Sequence, residues 1–156
     1  MLVLVGTALA LAWSGAGQLR GEMTPSGVMF RTVQSGSGPA IKAVDGVMID
    51  YEGRLIDGTV FDTSEGRGPA PMIAGQVIPG FAEALQMMQK GGRYAIRIPA
   101  ALAYGATPPP GPIPPNSDLE FDVHIVQVVP DAALMAAAQQ QSQGSQQQAP
   151  QDMPQP

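Results

Sequence analysis

Few side chains in this sequence could act as a nucleophile or as a general base. There is no cysteine and one histidine, His124. The chain therefore has no thiolate nucleophile, no cysteine zinc site and no multi-histidine metal site. His124 alternates with Glu120 and Asp122 among apolar residues, so it is interpreted as a solvated side chain on the outward face of a strand. This inventory disfavours most hydrolase chemistry.

Two carboxylates, Asp57 and Asp62, flank a predicted hairpin. An acid/base pair would need a defined separation between them, and a metal would need more oxygen ligands than they supply. Neither arrangement is predicted, and no cofactor or metal is expected. Taken alone, Asp62 is at least as easily interpreted as a turn carboxylate that caps nearby N–H groups.

Aromatic side chains are the other candidates, because they could enclose an apolar ligand. Four of them, Tyr51, Phe61, Phe81 and Phe121, are spread along the chain. Taken one at a time, such residues are more often ordinary core than the wall of a binding site. Their joint order along the chain, together with the elements that carry them, decides between the two interpretations.

Alternation of apolar and polar residues predicts the strands that carry most of these side chains. Residues 47–53 alternate so that Tyr51 falls on the inward face of a half-buried strand. The same pattern predicts further strands over residues 93–98 and 119–126. Strands outnumber helices, and an antiparallel sheet is expected.

Turn residues and helical spacing predict a hairpin and one short helix. Asp57-Gly58 tolerates the positive φ values of a two-residue reversal, which predicts a hairpin over residues 54–61. Apolar residues at helical spacing run from Pro79 to a stop at Gly91-Gly92, which predicts a helix over residues 79–90. The expected fold is α+β: a curved sheet covers the helix, and an apolar ligand would sit between them.

Composition limits the domain organisation and the partners. The 156 residues carry a net charge of −5 without a run of like charge, so one domain with tails is expected and no nucleic-acid partner. Residues 1–19 are uncharged and change from apolar to small residues, which predicts a signal-peptide-like or anchor segment. A buried core segment is the alternative. Residues 131–156 predict a short Ala-rich helix capped by Asp131 and ending at Ala138, then a disordered Gln/Pro-rich tail.

Six short motifs occur in an order that resembles the FKBP-type peptidyl-prolyl cis-trans isomerases. They are Asp50-Tyr51-Glu52-Gly53, the segment from Asp57 to Ser64, Val77-Ile78-Pro79-Gly80-Phe81, Ala103-Tyr104-Gly105-Ala106, Ile113-Pro114-Pro115-Asn116 and Leu119-Glu120-Phe121-Asp122-Val123. The resemblance covers about residues 24–129, within an isomerase domain predicted over residues 20–130. Residues 24–28 resemble the lead-in of envelope-associated bacterial members.

The resemblance implies a sheet of five to six strands half-wrapped around one short helix, and a pocket that receives a proline ring. Catalytic positions of the family match Asp62 at the pocket edge, the hydroxyl donor Tyr104 and the aromatic Phe61. Substrate-binding positions match Tyr51, Val77, Ile78, Phe81, Ile113 and Phe121. In this set the backbone N–H of Ile78 would hold a ligand carbonyl, and Phe81 replaces a frequent tryptophan.

The implied activity is isomerisation of Xaa-Pro bonds in exported proteins, in the periplasm or cell envelope, without a cofactor. Proline-containing polypeptides are the implied clients, and FKBP-type macrolide inhibitors are implied ligands. The sequence departs from the family pattern at Ala70-Pro71-Met72, where many members carry aromatic residues, and at Pro109 to Pro112, which make the loop after Tyr104 unusually proline-rich. These departures keep two alternatives open: a binding module with negligible turnover, and a polyproline ligand for another protein's aromatic groove.

Overall fold

Seven strands form one antiparallel sheet in the computed structural model, which describes residues 21–146. The strands are β1 (Glu22–Met23), β2 (Met29–Gln34), β3 (Gly46–Leu55), β4 (Val60–Thr63), β5 (Ala70–Ile73), β6 (Arg93–Ile98) and β7 (Leu119–Val129). The helices are α1 (Pro79–Leu85) and α2 (Ala132–Gln146), with a 3₁₀ turn at Ala100–Leu102. The predicted signal-like segment, residues 1–19, and the end of the predicted tail, residues 147–156, lie outside the described residues.

The sheet is six strands wide, although seven strands contribute to it. The order is β1-β2-β6-β7-β3-β4, and β5 also pairs with β3. Strand β7 occupies one edge of β3 over its whole length, from Gly46 to Leu55. Strands β4 and β5 therefore share the other edge, β4 beside residues 52–54 and β5 beside residues 46–49. The predicted α+β fold, with five to six strands around one short helix, is confirmed.

Helix α1 packs on the apolar face of the sheet and closes the core. Phe81 is 4% exposed, and Leu85 is fully buried. Gly80 permits this close packing, because a Cβ atom there would collide with Cγ2 of Ile98 on β6. Burial of aliphatic and aromatic side chains between helix and sheet is the main source of stability in such a layer.

The first helix is shorter than the sequence predicts. Apolar spacing predicts a helix over residues 79–90, but α1 ends at Leu85. Met88 is fully buried, as its place in the pattern requires. Its carbonyl, however, accepts the N–H of Ile41, and the carbonyl of Lys90 accepts the N–H of Ser37. These residues bond to a neighbouring loop, and the chain therefore leaves the helix before Gly91.

The second helix is longer than predicted and begins at a defined junction. The backbone N–H of Asp131 donates to Oδ1 of Asp45 at 3.0 Å, and that of Ala133 donates to the carbonyl of Val44 at 3.0 Å. Asp131 caps the helix through its carbonyl, which accepts the N–H of Leu134, and not through its side chain as predicted. Residues 139–146, predicted to be disordered, continue α2, because glutamine favours helix and no proline stands between Pro130 and Pro150. No helix in residues 21–146 has the length and apolar character to cross a membrane.

Candidate active site

Three phenylalanines from separate elements meet at the apolar side of the sheet. The rings of Phe61 on β4 and Phe121 on β7 are 5.6 Å apart and perpendicular. Those of Phe81 on α1 and Phe121 are 5.0 Å apart and inclined at 67°. Both are edge-to-face pairs, a geometry that stabilises aromatic clusters beyond their buried area. These three predicted site residues are thus brought together, and we call them the aromatic cluster.

Gly53 makes room for the aromatic cluster. A Cβ atom at this position would lie 2.6 Å from Cζ of Phe61 and 2.8 Å from Cε1 of Phe121. No side chain fits there without displacing one of the two rings. The sequence prediction included Gly53 in a motif but gave it no role, although a glycine inside a strand often marks such a close approach.

A β-bulge turns two consecutive residues of β4 toward the site. Asp62 pairs with Gly53, and Val60 pairs with Arg54, so that Phe61 is the unpaired residue between them. A bulge of this kind re-aims side chains that would otherwise alternate between the two faces of the sheet. Phe61 consequently joins the aromatic cluster while Asp62 reaches Tyr51 on β3.

Asp62 accepts hydrogen bonds from two side chains at the exposed rim of the site. The hydroxyl of Tyr51 donates to Oδ2 at 2.5 Å, and the guanidinium of Arg67 donates to Oδ1 at 2.7 Å. Burial alone would raise the pKa of Asp62, but these two hydrogen bonds and the charge of Arg67 outweigh it and lower the pKa. Asp62 is therefore an ionised acceptor at neutral pH.

Burial, followed by the hydrogen bond and charge of Asp62, raises the pKa of Tyr51 to about 12. The phenol therefore stays protonated at neutral pH and keeps its role as a donor. Arg67 also donates to the carbonyl of Thr63, which fixes the loop after β4. The sequence prediction did not identify Arg67, because a single arginine in a predicted loop has no pattern that distinguishes it.

The other predicted apolar residues line the start of α1 and the loop before β7. Val77, Ile78 and Ile113 are half-buried and pack against the core. The carbonyl of Ile78 accepts the N–H groups of Phe81 and Ala82 at the first turn of α1. Among the described residues no acceptor is recorded for the N–H of Ile78, as required of a donor that is to bind a ligand carbonyl.

Tyr104 lies in the loop after the 3₁₀ turn and is 37% exposed. The base of this loop is held by the N–H of Gly105, which donates to the carbonyl of Ala100 at 2.9 Å. Within residues 21–146 no hydrogen bond is recorded for the Tyr104 hydroxyl, and no recorded contact joins it to Asp62 or to the aromatic cluster. Phe61 and Asp62 are neighbours on β4, and the Tyr104 hydroxyl is left without a partner among the described residues.

This arrangement suits noncovalent binding of an apolar group with a few directed hydrogen bonds. Within the described residues no cluster of three or more histidine, aspartate or glutamate side chains could hold a metal ion. The departure at Ala70-Pro71-Met72 forms β5, and Met72 packs against the core. A methionine thus packs against the core in a segment where many members of the family carry aromatic residues.

Comparisons with known proteins agree with this geometry. Residues 38–126 match the family of FKBP-type peptidyl-prolyl cis-trans isomerases. The crystal structure of FkpA from Escherichia coli superposes with a TM-score of 0.68 at 42% identity, over 71% of this chain and 52% of that chain. The outer membrane protein MIP of Legionella longbeachae is 45% identical over 105 residues, which are 67% of this chain and 45% of that protein.

A third relative, the macrophage infectivity potentiator of Trypanosoma cruzi, is 47% identical over 67% of this chain and 54% of that protein. The chain spans about half the length of the curated relatives that it matches. The matched residues contain β3 to β6, α1 and most of β7, and therefore the whole aromatic cluster and its rim. On these grounds the chain belongs to the FKBP-type peptidyl-prolyl cis-trans isomerase family.

Proposed function

We propose that this protein accelerates cis/trans isomerisation of Xaa-Pro peptide bonds by binding a twisted amide without a covalent intermediate. The observation that carries the proposal is the aromatic cluster beside the Tyr51–Asp62 hydrogen bond. An apolar floor with one oriented polar edge fits a proline ring and the amide that precedes it. Membership of the isomerase family supports the same reaction.

The physical problem is the barrier to rotation about the amide bond. It is about 18–20 kcal/mol, because resonance between nitrogen and carbonyl is lost as the bond twists. A twisted amide has a less polar carbonyl than a planar one, so an apolar site that excludes water favours the twisted form. The aromatic cluster would hold the proline ring while the preceding carbonyl rotates.

Polar groups orient the substrate around this apolar floor. Asp62 is ionised and fixed by Tyr51 and Arg67, so it places negative charge beside the nitrogen, which becomes more basic as resonance is lost. The N–H of Ile78 would bind a substrate carbonyl, and the hydroxyl of Tyr104 would donate a hydrogen bond to the backbone of the substrate. No proton transfer is required of any of these groups.

We also propose that the clients are exported proteins and that the protein acts in the periplasm or cell envelope. Support comes from the uncharged, signal-like residues 1–19 and from similarity to a Legionella protein named for the outer membrane. Fractionation of cells, with mass spectrometry of the mature N-terminus, tests this. Recovery of the uncleaved chain from the cytoplasm alone would contradict it.

The isomerase proposal is tested with the full chain and a short peptide that has leucine before proline, by exchange NMR. Phe61→Ala should lower kcat/KM by about tenfold or more, because the edge-to-face contact with Phe121 is lost. Val33→Ala, at an exposed valine on β2, is the matched control and should be unchanged. If the wild-type protein does not accelerate exchange but still binds the peptide, the chain is a binding module instead.

A further inference from the structure

The loop between the 3₁₀ turn and β7 has an unusual composition for a segment that borders a substrate site. We call residues 107–116 the proline loop. Six of its residues are proline: Pro108, Pro109, Pro110, Pro112, Pro114 and Pro115. The loop carries Ile113, a proposed substrate contact, and begins three residues after Tyr104.

Hydrogen bonds fix the two ends of the proline loop. The N–H of Asn116 donates to the carbonyl of Gly105 at 2.7 Å and closes the base of the loop. The N–H of Thr107 donates to the carbonyl of Tyr104 at 3.3 Å. Near the second end, the hydroxyl of Ser117 donates to the carbonyl of Pro114 at 2.8 Å. The base is therefore tied to the segment that carries Tyr104.

The middle of the proline loop is restrained in another way. Between residues 108 and 115 only Gly111 and Ile113 have a backbone N–H, since proline lacks one. Neither is a donor in any hydrogen bond recorded within residues 21–146. Here the backbone is restricted by the pyrrolidine rings, which fix φ, and by the limits that each proline imposes on the residue before it.

Ile113 is the residue that this restriction affects most directly. It stands between Pro112 and Pro114, and the second of these limits its backbone to extended conformations. Ile113 is half-buried and packs against the core, whereas Pro109, Pro110 and Pro112 are exposed. The exposed prolines contribute little packing to the core, so the property of proline that can affect Ile113 is its restriction of the backbone.

We propose that Pro109, Pro110 and Pro112 are positioning residues: they restrict the loop that leads to Ile113 and so, together with Pro114, hold Ile113 and the adjoining Tyr104 segment in the substrate-binding conformation before substrate arrives. The inference rests on the proposed isomerase function and deepens it. A flexible loop would be ordered when substrate binds, and that loss of entropy would weaken binding. Proline reduces the conformations available to the free loop, so the ordering cost is met during folding.

The test is the full chain with Pro109→Ala, Pro110→Ala and Pro112→Ala combined. The KM for the leucine-proline peptide should rise about three- to tenfold with kcat within twofold, because the preorganisation affects binding of substrate and transition state alike. NMR relaxation of the Gly111 and Ile113 amides should show greater disorder in the free variant, with order restored by peptide. Pro25→Ala, at an exposed proline in the turn before β2, is the control and should change neither constant.

An unchanged KM in a folded variant whose Ile113 amide has become disordered would overturn the proposal, as would a fall in kcat with KM unchanged. If the wild-type protein binds the peptide without accelerating exchange, the isomerase function fails but the loop can still be assessed. The dissociation constant of the same peptide, from NMR titration, should then rise three- to tenfold in the triple variant. Equal dissociation constants in the two proteins would refute the positioning role.

Discussion

The half-buried side chain of Tyr51 is bonded to the exposed rim of the site, because its hydroxyl donates a hydrogen bond to Asp62. Burial first, and Asp62 second, raise the pKa of Tyr51 to about 12, above the value of about 10 for an unfolded chain. A raised pKa in the folded state stabilises the protein below about pH 10, and this contribution is lost as the pH rises toward 12. The Tyr51 hydroxyl should therefore contribute to stability at neutral pH.

Tyr51→Phe should lower the free energy of unfolding by about 1–2 kcal/mol at pH 8, since it removes a hydrogen bond to a charged acceptor. The difference in unfolding free energy between the variant and the wild type should narrow at pH 10.5 and above. Denaturant titrations at pH 8 and pH 10.5 would measure it. Tyr104→Phe is the matched control: it should leave stability unchanged and lower kcat/KM about fivefold by removing a substrate donor. Equal stability of all three proteins would contradict this role for Tyr51.

Gly53→Ala tests whether the aromatic cluster needs a bare backbone beneath it. The added methyl group would overlap Cζ of Phe61, at 2.6 Å, and displace the ring. We expect a loss of about 1–3 kcal/mol in unfolding free energy and at least a tenfold fall in kcat/KM. Gly21→Ala, where the nearest atom is 3.5 Å away, should be neutral. Wild-type activity in Gly53→Ala would show that the rings can move without consequence.

Which of these residues could be predicted depends on whether they follow a pattern. Phe61, Phe81 and Phe121 occur in ordered motifs, and alternation or helical spacing places Phe81 and Phe121 on inward faces, whereas the aim of Phe61 depends on the β-bulge and was indicated by its motif alone. Arg67 could not, because its role comes from a loop conformation that brings it to Asp62. The 37% exposure of Tyr104 was also beyond prediction, since a motif specifies a residue but not how far its side chain is buried.

At the level of elements, alternation predicted β3, β6 and β7 because each has one face on the core and one on solvent. The hairpin was predicted too, but its loop runs from Ile56 to Thr59 instead of two residues, with Gly58 at a φ of 92°. The bulge at Phe61 and the pairing of β5 with β3 depend on contacts between distant segments. Alternation within a segment contains no information about its register with another.

Helix α2 offers a test of which element boundaries matter for function. It is joined to the turn before β3 through Asp131 and Ala133, and most of its later side chains up to residue 142 are exposed. A chain ending at Asp131 should lose less than about 1 kcal/mol of unfolding free energy and keep kcat/KM within twofold. Calorimetry and the peptide assay would measure both. A loss above about 2 kcal/mol would mean that α2 packs more tightly than its exposure indicates.

Asp45→Asn provides the contrast to that truncation, because it keeps α2 and changes the junction. The backbone N–H of Lys42 holds the pKa of this buried carboxyl below its ordinary value, opposed by burial and assisted by the N–H of Asp131. An amide at this position should cost about 1–3 kcal/mol at pH 7. Because the pKa of Asp45 is lowered, its ionised carboxylate stabilises the fold above about pH 4, and this contribution is lost below that pH. The loss of unfolding free energy in Asp45→Asn should therefore shrink in acid.

Considered as a whole molecule, the sheet has an apolar face that forms the site and an opposite face of paired charges. Arg54 binds Glu52 and, at 3.0 Å, Asp122 across the β3–β7 pair. Burial raises the pKa of Asp122 in spite of the attraction of Arg54, and it raises that of Glu120 in spite of Arg97. The ionised forms of these carboxylates thus carry an energetic cost of burial, and their arginine partners offset part of it.

Arg54→Met should therefore destabilise the fold by about 3 kcal/mol at pH 7, because it leaves Asp122, 15% exposed, without its cation. The pKa of Asp122 is already raised, and removal of Arg54 would raise it further, so the deficit should shrink as the pH falls and the group is protonated. Arg97→Met is the control: Asp118 is 3.4 Å away and 40% exposed, and Glu120 keeps the attraction of Arg54, so the cost should stay below about 1 kcal/mol. Denaturant titration at pH 7 and pH 5 would separate the two variants. Both variants should retain kcat/KM within twofold at low temperature, because the charged face lies across the sheet from the aromatic cluster. A selective loss of activity in folded Arg54→Met would show that the two faces are coupled.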